Sequence, residues 1–488
     1  MMGKFKYKYQ MYKSLRAEIP AIHEEARRAA DEIGIPEELR GRIGLTGANS
    51  GCPAPLREDI KKAAVDIADE VVPLSKLMDE IREIVKSVYG DEYDAAATNT
   101  CEAGLWVSFD TMFSPPISGH GDNYRARYLM PYEKQLQYHG NYGRPYPPRY
   151  KDYLAERGGT AGELGSSGKR LNNLDTVLVP LAGAKYAVHG VNYHTIPMLL
   201  DVDAKGSAEA VAKFADIHRD SVTGIASLGY DTPCYGYGEK AEDGAPLLQK
   251  LYAKIAQEYN VPYIVDNAWG LPFVGSDLRK TGADIIVYSM DKATGADTSG
   301  LIIGKEEPMV AIRRALGMHG SRFGTASSYS KAAYSAFDPG KHALATQIQA
   351  LKVLRDHPEA LTKSVDDMEV IVKEEFAKID PKLKEGIQIF KSYNSRTIEV
   401  DYECTWKNGE LGLPLFTMED IASGTNLISS SLQQMGVIPS GANDGIVPIS
   451  PDMGTTDSKG NLLPDVARYA VRSLVCVMEI IARHAGII

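Results

Sequence analysis

The chain has 488 residues, of which 44% are hydrophobic and 24% charged, a composition that fits a soluble globular enzyme with apolar content for two or three domains. A net charge of −10 and an isoelectric point near 5.6 weigh against a nucleic-acid partner, because phosphate binding needs a basic surface. No apolar run approaches the roughly 18 residues of a membrane span, and the basic segment from Met1 to Lys13 lacks the apolar core of a secretory signal, so neither a membrane nor export is expected.

The segment 14–90 reads mostly as helix, interrupted by Gly44-Leu45-Thr46-Gly47-Ala48-Asn49-Ser50-Gly51-Cys52-Pro53, a loop by composition. Beyond it, Ile60, Ala64, Ile67, Val71, Leu74 and Leu77 recur at helical spacing up to Tyr89. From Thr98 to Gly304 short apolar runs alternate with helical stretches. Strands are expected at 176–179, 196–202, 224–227, 261–265, 285–288 and 301–303, with helices such as 208–217 and 246–259 between them. This alternation predicts a largely parallel sheet covered on both faces, with ligands gathering at the carboxyl ends of the strands.

The segment 114–170 interrupts that order. It is rich in Tyr, Pro, Gly and Arg, with eight tyrosines from Tyr124 to Tyr153, and reads as an insertion serving as lid, subunit contact or plain surface. Gly168-Lys169-Arg170 does not meet the GxxxxGK(S/T) spacing of a phosphate loop. From about residue 341, helices at 344–355 and 361–376, a strand at 397–400 and a final helix at 466–485 predict a smaller α+β domain.

The five cysteines, Cys52, Cys101, Cys234, Cys404 and Cys476, form no CxxC pair, which argues against disulfides and zinc and fits a reducing cytoplasm. The ten histidines include no HExxH and no ligand-like cluster, so no metal is expected. The informative residues lie elsewhere. The apolar run Tyr263-Ile264-Val265 ends in Asp266-Asn267-Ala268, and the next, Ile285-Ile286-Val287-Tyr288, leads into Ser289-Met290-Asp291-Lys292-Ala293-Thr294-Gly295. An acid at one strand end and a lysine after the next are what pyridoxal 5'-phosphate (PLP) requires. The lysine forms a Schiff base, and the carboxylate keeps the pyridine nitrogen protonated so that the ring is an electron sink.

From about Asn99 to Gly304 the chain resembles fold type I PLP-dependent enzymes, the aspartate aminotransferase superfamily. Gly282-Ala283-Asp284-Ile285 through Lys292, followed by Gly300-Leu301-Ile302-Ile303-Gly304-Lys305, is most similar to the selenocysteine synthase branch and its lyase-like relatives. The likeness covers about half of the chain. It implies an α/β fold: a PLP-dependent transferase-like large domain with a mostly parallel seven-stranded sheet, and a smaller α+β C-terminal domain. The corresponding division is an N-terminal helical segment with an active-site loop at 1–95, the large domain at 96–340 with its insertion at 114–170, and the small domain at 341–488.

The resemblance also implies roles. Lys292 is the Schiff-base lysine, and Asp266 pairs with the ring nitrogen. Ala268 packs beneath or beside the ring, and the Ser289 hydroxyl helps hold the phosphate. Asn99-Thr100-Cys101-Glu102-Ala103 matches the family's phosphate loop, with Thr100 and Cys101 donating amides at the start of a helix over 103–112. Thr232, in Asp231-Thr232-Pro233, falls where relatives contact the phenolic oxygen of the ring; a plain turn is the alternative. Relatives carry an aromatic or histidine ring-stacking residue after the strand expected at 176–179. Here Ala184 occupies that place; either Tyr186 or His189 stacks after a shift of register, or the insertion at 114–170 supplies the stacking. Asn267 and Trp269 depart from the frequent Glu-Ala-His form and receive no role. Arg396, with Arg322 as competitor, is the candidate for the substrate carboxylate, which an arginine fork matches well.

Decarboxylases of this superfamily typically carry histidine before the lysine, where this chain has Asp291, and Thr232-Pro233 only partly matches the Asn-Pro of simple aminotransferases. The selenocysteine synthase-like pattern favours chemistry at Cβ. The expected activity is a lyase that cleaves a free β-substituted amino acid by elimination through a carbanion. An aminotransferase or β-replacement transferase is the alternative, and a non-catalytic PLP-fold binding protein the remote one. The superfamily builds its sites at subunit interfaces, so a homodimer or homotetramer is expected.

Overall fold

The computed structural model describes residues 5, 8–48, 50, 52–113, 127–133, 191–198, 203–232, 236–317, 337–402, 405, 412–414, 427–439 and 446–488. Seven strands form the central sheet: β1 (Tyr93–Thr98), β2 (Arg127–Glu133), β3 (Asn192–Met198), β4 (Val222–Leu228), β5 (Tyr263–Asp266), β6 (Ile285–Ser289) and β7 (Gly300–Lys305). Their order is β1-β7-β6-β5-β4-β2-β3. Strands β2 to β6 pair in parallel, and β7 alone runs against its neighbours β1 and β6. Every residue of β1, β4, β5 and β6 is buried, so both sheet faces are covered, and the strands read as continuous apolar runs instead of alternating ones.

Around the sheets lie α1 (Lys8–Ile33), α2 (Glu58–Ala68), α3 (Leu74–Tyr89), α4 (Cys101–Phe113), α5 (Ala204–Ile217), α6 (Leu247–Glu258), α7 (Glu306–Ala315), α8 (Lys341–Asp356), α9 (Glu359–Phe376), α10 (Leu427–Gln434) and α11 (Pro464–His484). The small domain carries an antiparallel sheet of β8 (Gln388–Ser392), β9 (Thr397–Asp401) and β10 (Ile446–Ile449), with β9 in the middle.

The N-terminal segment is divided between two cores. Met11, Leu15, Ile22 and Ala26 of α1 lie in one core with residues of α9, α10, α11 and β9, α1 packing on α10 and α11, and Ile43–Gly44 pairs in parallel with Val437–Ile438, so α1 belongs with the small domain. Ile60, Leu77, Met78 and Ile81 of α2 and α3 join the core of the large domain. The helical spacing expected to run from 56 to 89 is broken between α2 and α3, and Val71 is fully exposed there. Pro73 explains the break: it lacks an N–H, disfavours helix at the residue before it, and then precedes the first turn of α3.

Strand β2 falls within the segment expected to be an insertion. Tyr128, Leu129 and Met130 are fully buried in the sheet, and the rings of Phe109, Phe113 and Tyr128 stack together with centroids 4.8 to 5.7 Å apart. Pro131 hides the strand in the sequence; β4 pairs only with 127–129, so the missing N–H of Pro131 faces no β4 partner. The expected strand at 176–179 and the Gly168-Lys169-Arg170 run lie outside the described residues.

Charge also holds the small domain. Glu375 on α9, 2% exposed, accepts from Arg472 Nε (2.9 Å) and Arg468 Nη1 (2.7 Å) of α11, and from Lys378 Nζ (2.8 Å). Burial opposes its charge, but the three cations outweigh burial and hold the carboxyl at about 2, against an ordinary 4.5. A depressed carboxyl contributes stability that is fully present above the ordinary value and is lost as pH falls through the folded one. Because the cations are partly exposed, the contribution is on the order of 2 kcal/mol. Glu375→Gln is therefore expected to melt several degrees lower at neutral pH, with the gap to the native protein closing below the ordinary carboxyl range. Equal melting temperatures at neutral pH would contradict this.

Candidate active site

Because β1, β4, β5 and β6 run in one direction and β7 in the other, four strand ends and one strand start share an edge of the sheet. The register is continuous across it: Leu228 pairs with Asp266, Asp266 with Val287, and Ser289 and Thr98 both with Gly300. The segments carrying Thr100, Thr232, Asp266 and Lys292 all leave from this edge.

Asp266 ends β5 and is 4% exposed. Its Oδ1 accepts from the Ala268 amide at 3.1 Å, which fixes the carboxylate over the chain that leaves the strand. The ladder continues past the strand ends: Asn267 N donates to Val287 O (2.9 Å) and Ser289 N to Ala268 O (3.3 Å), so Ala268 lies beside Ser289.

Lys292 sits in a turn closed on itself. Met290 N donates to Ser299 O and Ala296 N to Met290 O, both at 2.9 Å, and the Gly295 amide reaches Lys292 O at 3.3 Å with φ at 67°. Asp291 is buried inside this turn, accepting from Ser289 Oγ (2.5 Å) and Thr298 Oγ1 (3.4 Å). The Ser289 hydroxyl proton thus goes to Asp291, and in this arrangement Ser289 braces the lysine turn. Lys292 Nζ lies 5.8 Å from the centroid of the Trp269 ring, within cation–π range. Trp269 in turn is 6.0 Å from Tyr230, which meets Tyr237 edge-on.

Thr100 caps α4. Its Oγ1 accepts from Ala103 N (3.0 Å), and its carbonyl accepts from Gly104 N (3.1 Å) and from Thr98 Oγ1 (2.7 Å). The leading amides of a helix have no intrahelical acceptor, and the dipole adds partial positive charge, so this first turn, beginning at Cys101, is suited to an anion. The turn lies hard against the start of β7, where a Cβ on Gly300 would overlap the Thr100 carbonyl and come within 2.5 Å of Thr98 Oγ1. Only glycine leaves that room.

Thr232 is buried after β4. Its neighbour Asp231 accepts from Ser392 Oγ of the small domain at 2.6 Å, and the carboxyl of Glu399 on β9 lies close by. Burial, then the nearby Asp231 charge, push the Glu399 carboxyl well above its usual range; burial also raises Asp231, against the pull of Lys240. The two acids therefore face each other in the domain interface, burial favouring the neutral form of each.

A second interdomain contact involves Asn267. Its side-chain amide and that of Asn394 exchange hydrogen bonds at 3.0 and 3.1 Å, and Asn394 Nδ2 also reaches Gly229 O (2.8 Å). A Cβ on Gly275 would overlap the Asn394 amide, so the close approach depends on that glycine. Asn267 and Trp269, without an expected role from the sequence, both lie at the site, and their departure from the Glu-Ala-His form is the signal that marks them.

Arg396 precedes β9 in the left-handed region, with φ at 55°. Its Nε donates to Leu361 O (3.3 Å), and Nη2 to Pro451 O (3.0 Å) and Ser364 Oγ (3.5 Å). Nη1 lies 3.9 Å from Asp452 Oδ2, beyond hydrogen-bond range. Burial pushes the guanidinium down to about 10, opposed by Asp452, so it stays cationic at neutral pH. Asp452 also anchors the loop at 44–53: its Oδ1 accepts from Gly47 N (2.7 Å) and Ser450 Oγ (2.8 Å), and Thr46 Oγ1 meets Ser450 Oγ at 2.5 Å. Arg322, Ala184, Tyr186, His189 and Pro233 lie outside the described residues. Among the described residues, no helix is long and apolar enough to cross a membrane.

No family model matches the sequence, and no curated protein matches it. In three dimensions the chain is similar to the SepCysS–SepCysE N-terminal domain complex, with 14% identity, 91% of this chain and 96% of that chain covered, and a TM-score of 0.50. It is also similar to pyridoxamine-pyruvate aminotransferase from Mesorhizobium loti (14% identity, 92% and 94% covered, TM-score 0.50). A third similar structure is an S-selective transaminase from Bacillus megaterium (15% identity, 86% and 85% covered, TM-score 0.51). At these identities the likeness establishes the architecture: the chain has the fold of the fold type I PLP-dependent enzymes.

Proposed function

We propose that this protein is a PLP-dependent enzyme acting on a small amino acid, and specifically a lyase that cleaves a free β-substituted amino acid by elimination. The observation that carries the cofactor is the convergence at one sheet edge of a buried acid, Asp266, a lysine, Lys292, and the capped first turn of α4. These residues fit PLP. Lys292 would hold it covalently, Asp266 would pair with its ring nitrogen, and the amides of Thr100 and Cys101 would take its phosphate. Ala268 would lie against the ring and Thr232 near its phenolic oxygen. The room that Gly300 leaves for the Thr100 turn supports the phosphate placement. When bound, PLP supplies an electron sink for the pair left at the substrate Cα.

The chain's own residues would do the rest. Once the substrate's amine has displaced it, Lys292 Nζ would take the Cα proton, and the β-substituent would leave with the Cβ bonding pair; water would then complete the release of a 2-oxo acid and ammonia. Nη1 of Arg396 would grip the substrate carboxylate, with Arg322 as the competing candidate. Asp291, engaged by Ser289 and Thr298, places no imidazole before the lysine, which favours this reading over decarboxylation. The similar transaminases keep amino-group transfer as the alternative, with β-replacement beside it. The same reading makes the protein a cytoplasmic homodimer or homotetramer.

Incubating the PLP-loaded protein with a panel of β-substituted amino acids, without any keto-acid acceptor, separates these chemistries. Elimination predicts stoichiometric ammonia and 2-oxo acid. Activity that appears only when an acceptor is added, without ammonia, would overturn the lyase assignment.

A further inference from the structure

The turn that carries Lys292 is held from outside by an arginine of the N-terminal segment. Arg57, only 10% exposed, donates from Nη1 to the carbonyl of Thr294 at 3.2 Å. Thr294 is fully buried and its hydroxyl bonds back to Met290 O, so its carbonyl is the group this turn presents to Arg57. The rest of the guanidinium is fixed. Nε and Nη2 bind the two oxygens of Asp59 at 3.1 Å each, and Asp59 Oδ2 accepts from Gln349 Nε2 of α8 at 3.3 Å. Although burial opposes it, Arg57 holds the Asp59 carboxyl below its usual range. The same helix grips the far end of the turn: Asp297 N donates to Thr346 Oγ1 (3.2 Å), and Gln347 Nε2 to Gly300 O (3.3 Å).

Arg57 also touches the small domain. Gly460 packs against its side chain, the next amide, Glu58 N, donates to Ser458 O at 2.7 Å, and Arg57 is near enough to Arg396 to help depress it. One side chain thus meets the lysine turn and the small domain, and is tied to the long helix α8 through Asp59.

We propose that Arg57 is a positioning residue that sets the aim of Lys292, linking the lysine turn to the placement of the small domain. The inference rests on Lys292 being the cofactor lysine. A bidentate fork on Asp59 leaves the third nitrogen one direction in which to point, and a flexible ammonium cannot reproduce that.

The test mixes apoprotein with PLP and follows how fast the cofactor becomes fixable on Lys292 by borohydride. Non-covalent PLP affinity and melting temperature are measured in parallel. Arg57→Gln and Asp59→Asn should slow capture by about tenfold, with Arg57→Lys between them and the native protein, because a small misalignment of a reacting group costs rate more than binding. Affinity for PLP and melting temperature should change little. Capture at the native rate in both Arg57→Gln and Asp59→Asn would overturn the proposal, as would a loss explained fully by lowered melting temperature in all three variants. Failure of the native protein to label at Lys292 would instead overturn the cofactor assignment.

Discussion

Lys292→Ala is expected to abolish covalent retention of PLP and to lower turnover by at least about a thousandfold, because on the proposed function the same nitrogen would be both attachment point and proton carrier. The turn that carries the side chain is held by several backbone and neighbouring bonds that the substitution leaves in place: Met290 to Ser299, Ala296 to Met290, and Asp291 to Ser289 and Thr298. The variant should therefore fold and keep its melting temperature within a few degrees. Lys292→Arg sharpens the point. It keeps the charge over Trp269, yet a guanidinium stays protonated and is no nucleophile, so it should be as inactive as the alanine variant. A colourless but well-folded Lys292→Arg protein is the expected result. A variant that still retains visible PLP absorbance through gel filtration would show that another amine holds the cofactor.

Asp266→Asn should produce the second-largest loss, about a hundredfold to a thousandfold in turnover. Asparagine fits the space and its Oδ1 can still accept from the Ala268 amide, so the local structure should persist. What disappears is the negative charge at the buried end of β5, where little water is present to replace it. The loss should fall on turnover, with cofactor attachment at Lys292 retained. Asp266→Ala should be worse, since it also removes the acceptor that orients the segment 266–268. Native-like turnover in the asparagine variant, measured at saturating PLP, would remove Asp266 from the mechanism.

Much of the sheet is legible in the sequence because strands buried on both faces cannot alternate; the runs at 263–265, 285–288 and 301–303 are strands for that reason. The places of Lys292 and Asp266 at the sheet edge are legible because each follows such a run at its carboxyl end. Strand β2 is not, since Pro131 and the charged Arg127 and Glu133 break the apolar run that would announce it. Nor is the division of the N-terminal segment between two cores, because α1 and α2 carry the same kind of apolar spacing and nothing in either names its partner.

The contacts that assemble the site between domains are the least legible. Asn267 meets Asn394 across 127 positions, Asp231 meets Ser392 across 161, and Arg57 meets Thr294 across 237. Each is a pair of polar groups that a turn or a surface would accept equally well, so only the folded geometry distinguishes them. Arg396 shows the same limit in reverse. Its place before β9 is readable, but not that Leu361, Ser364 and Pro451 take Nε and Nη2 while Nη1 lies 3.9 Å from Asp452.

The most direct measurement is peptide mapping after the PLP-loaded protein is reduced with borohydride, which fixes a pyridoxyl group on whatever amine is bonded to the cofactor. A single labelled peptide is expected, with the added mass on Lys292 and none in Lys292→Arg. A label on any other lysine, or no label on native protein saturated with PLP, would contradict this.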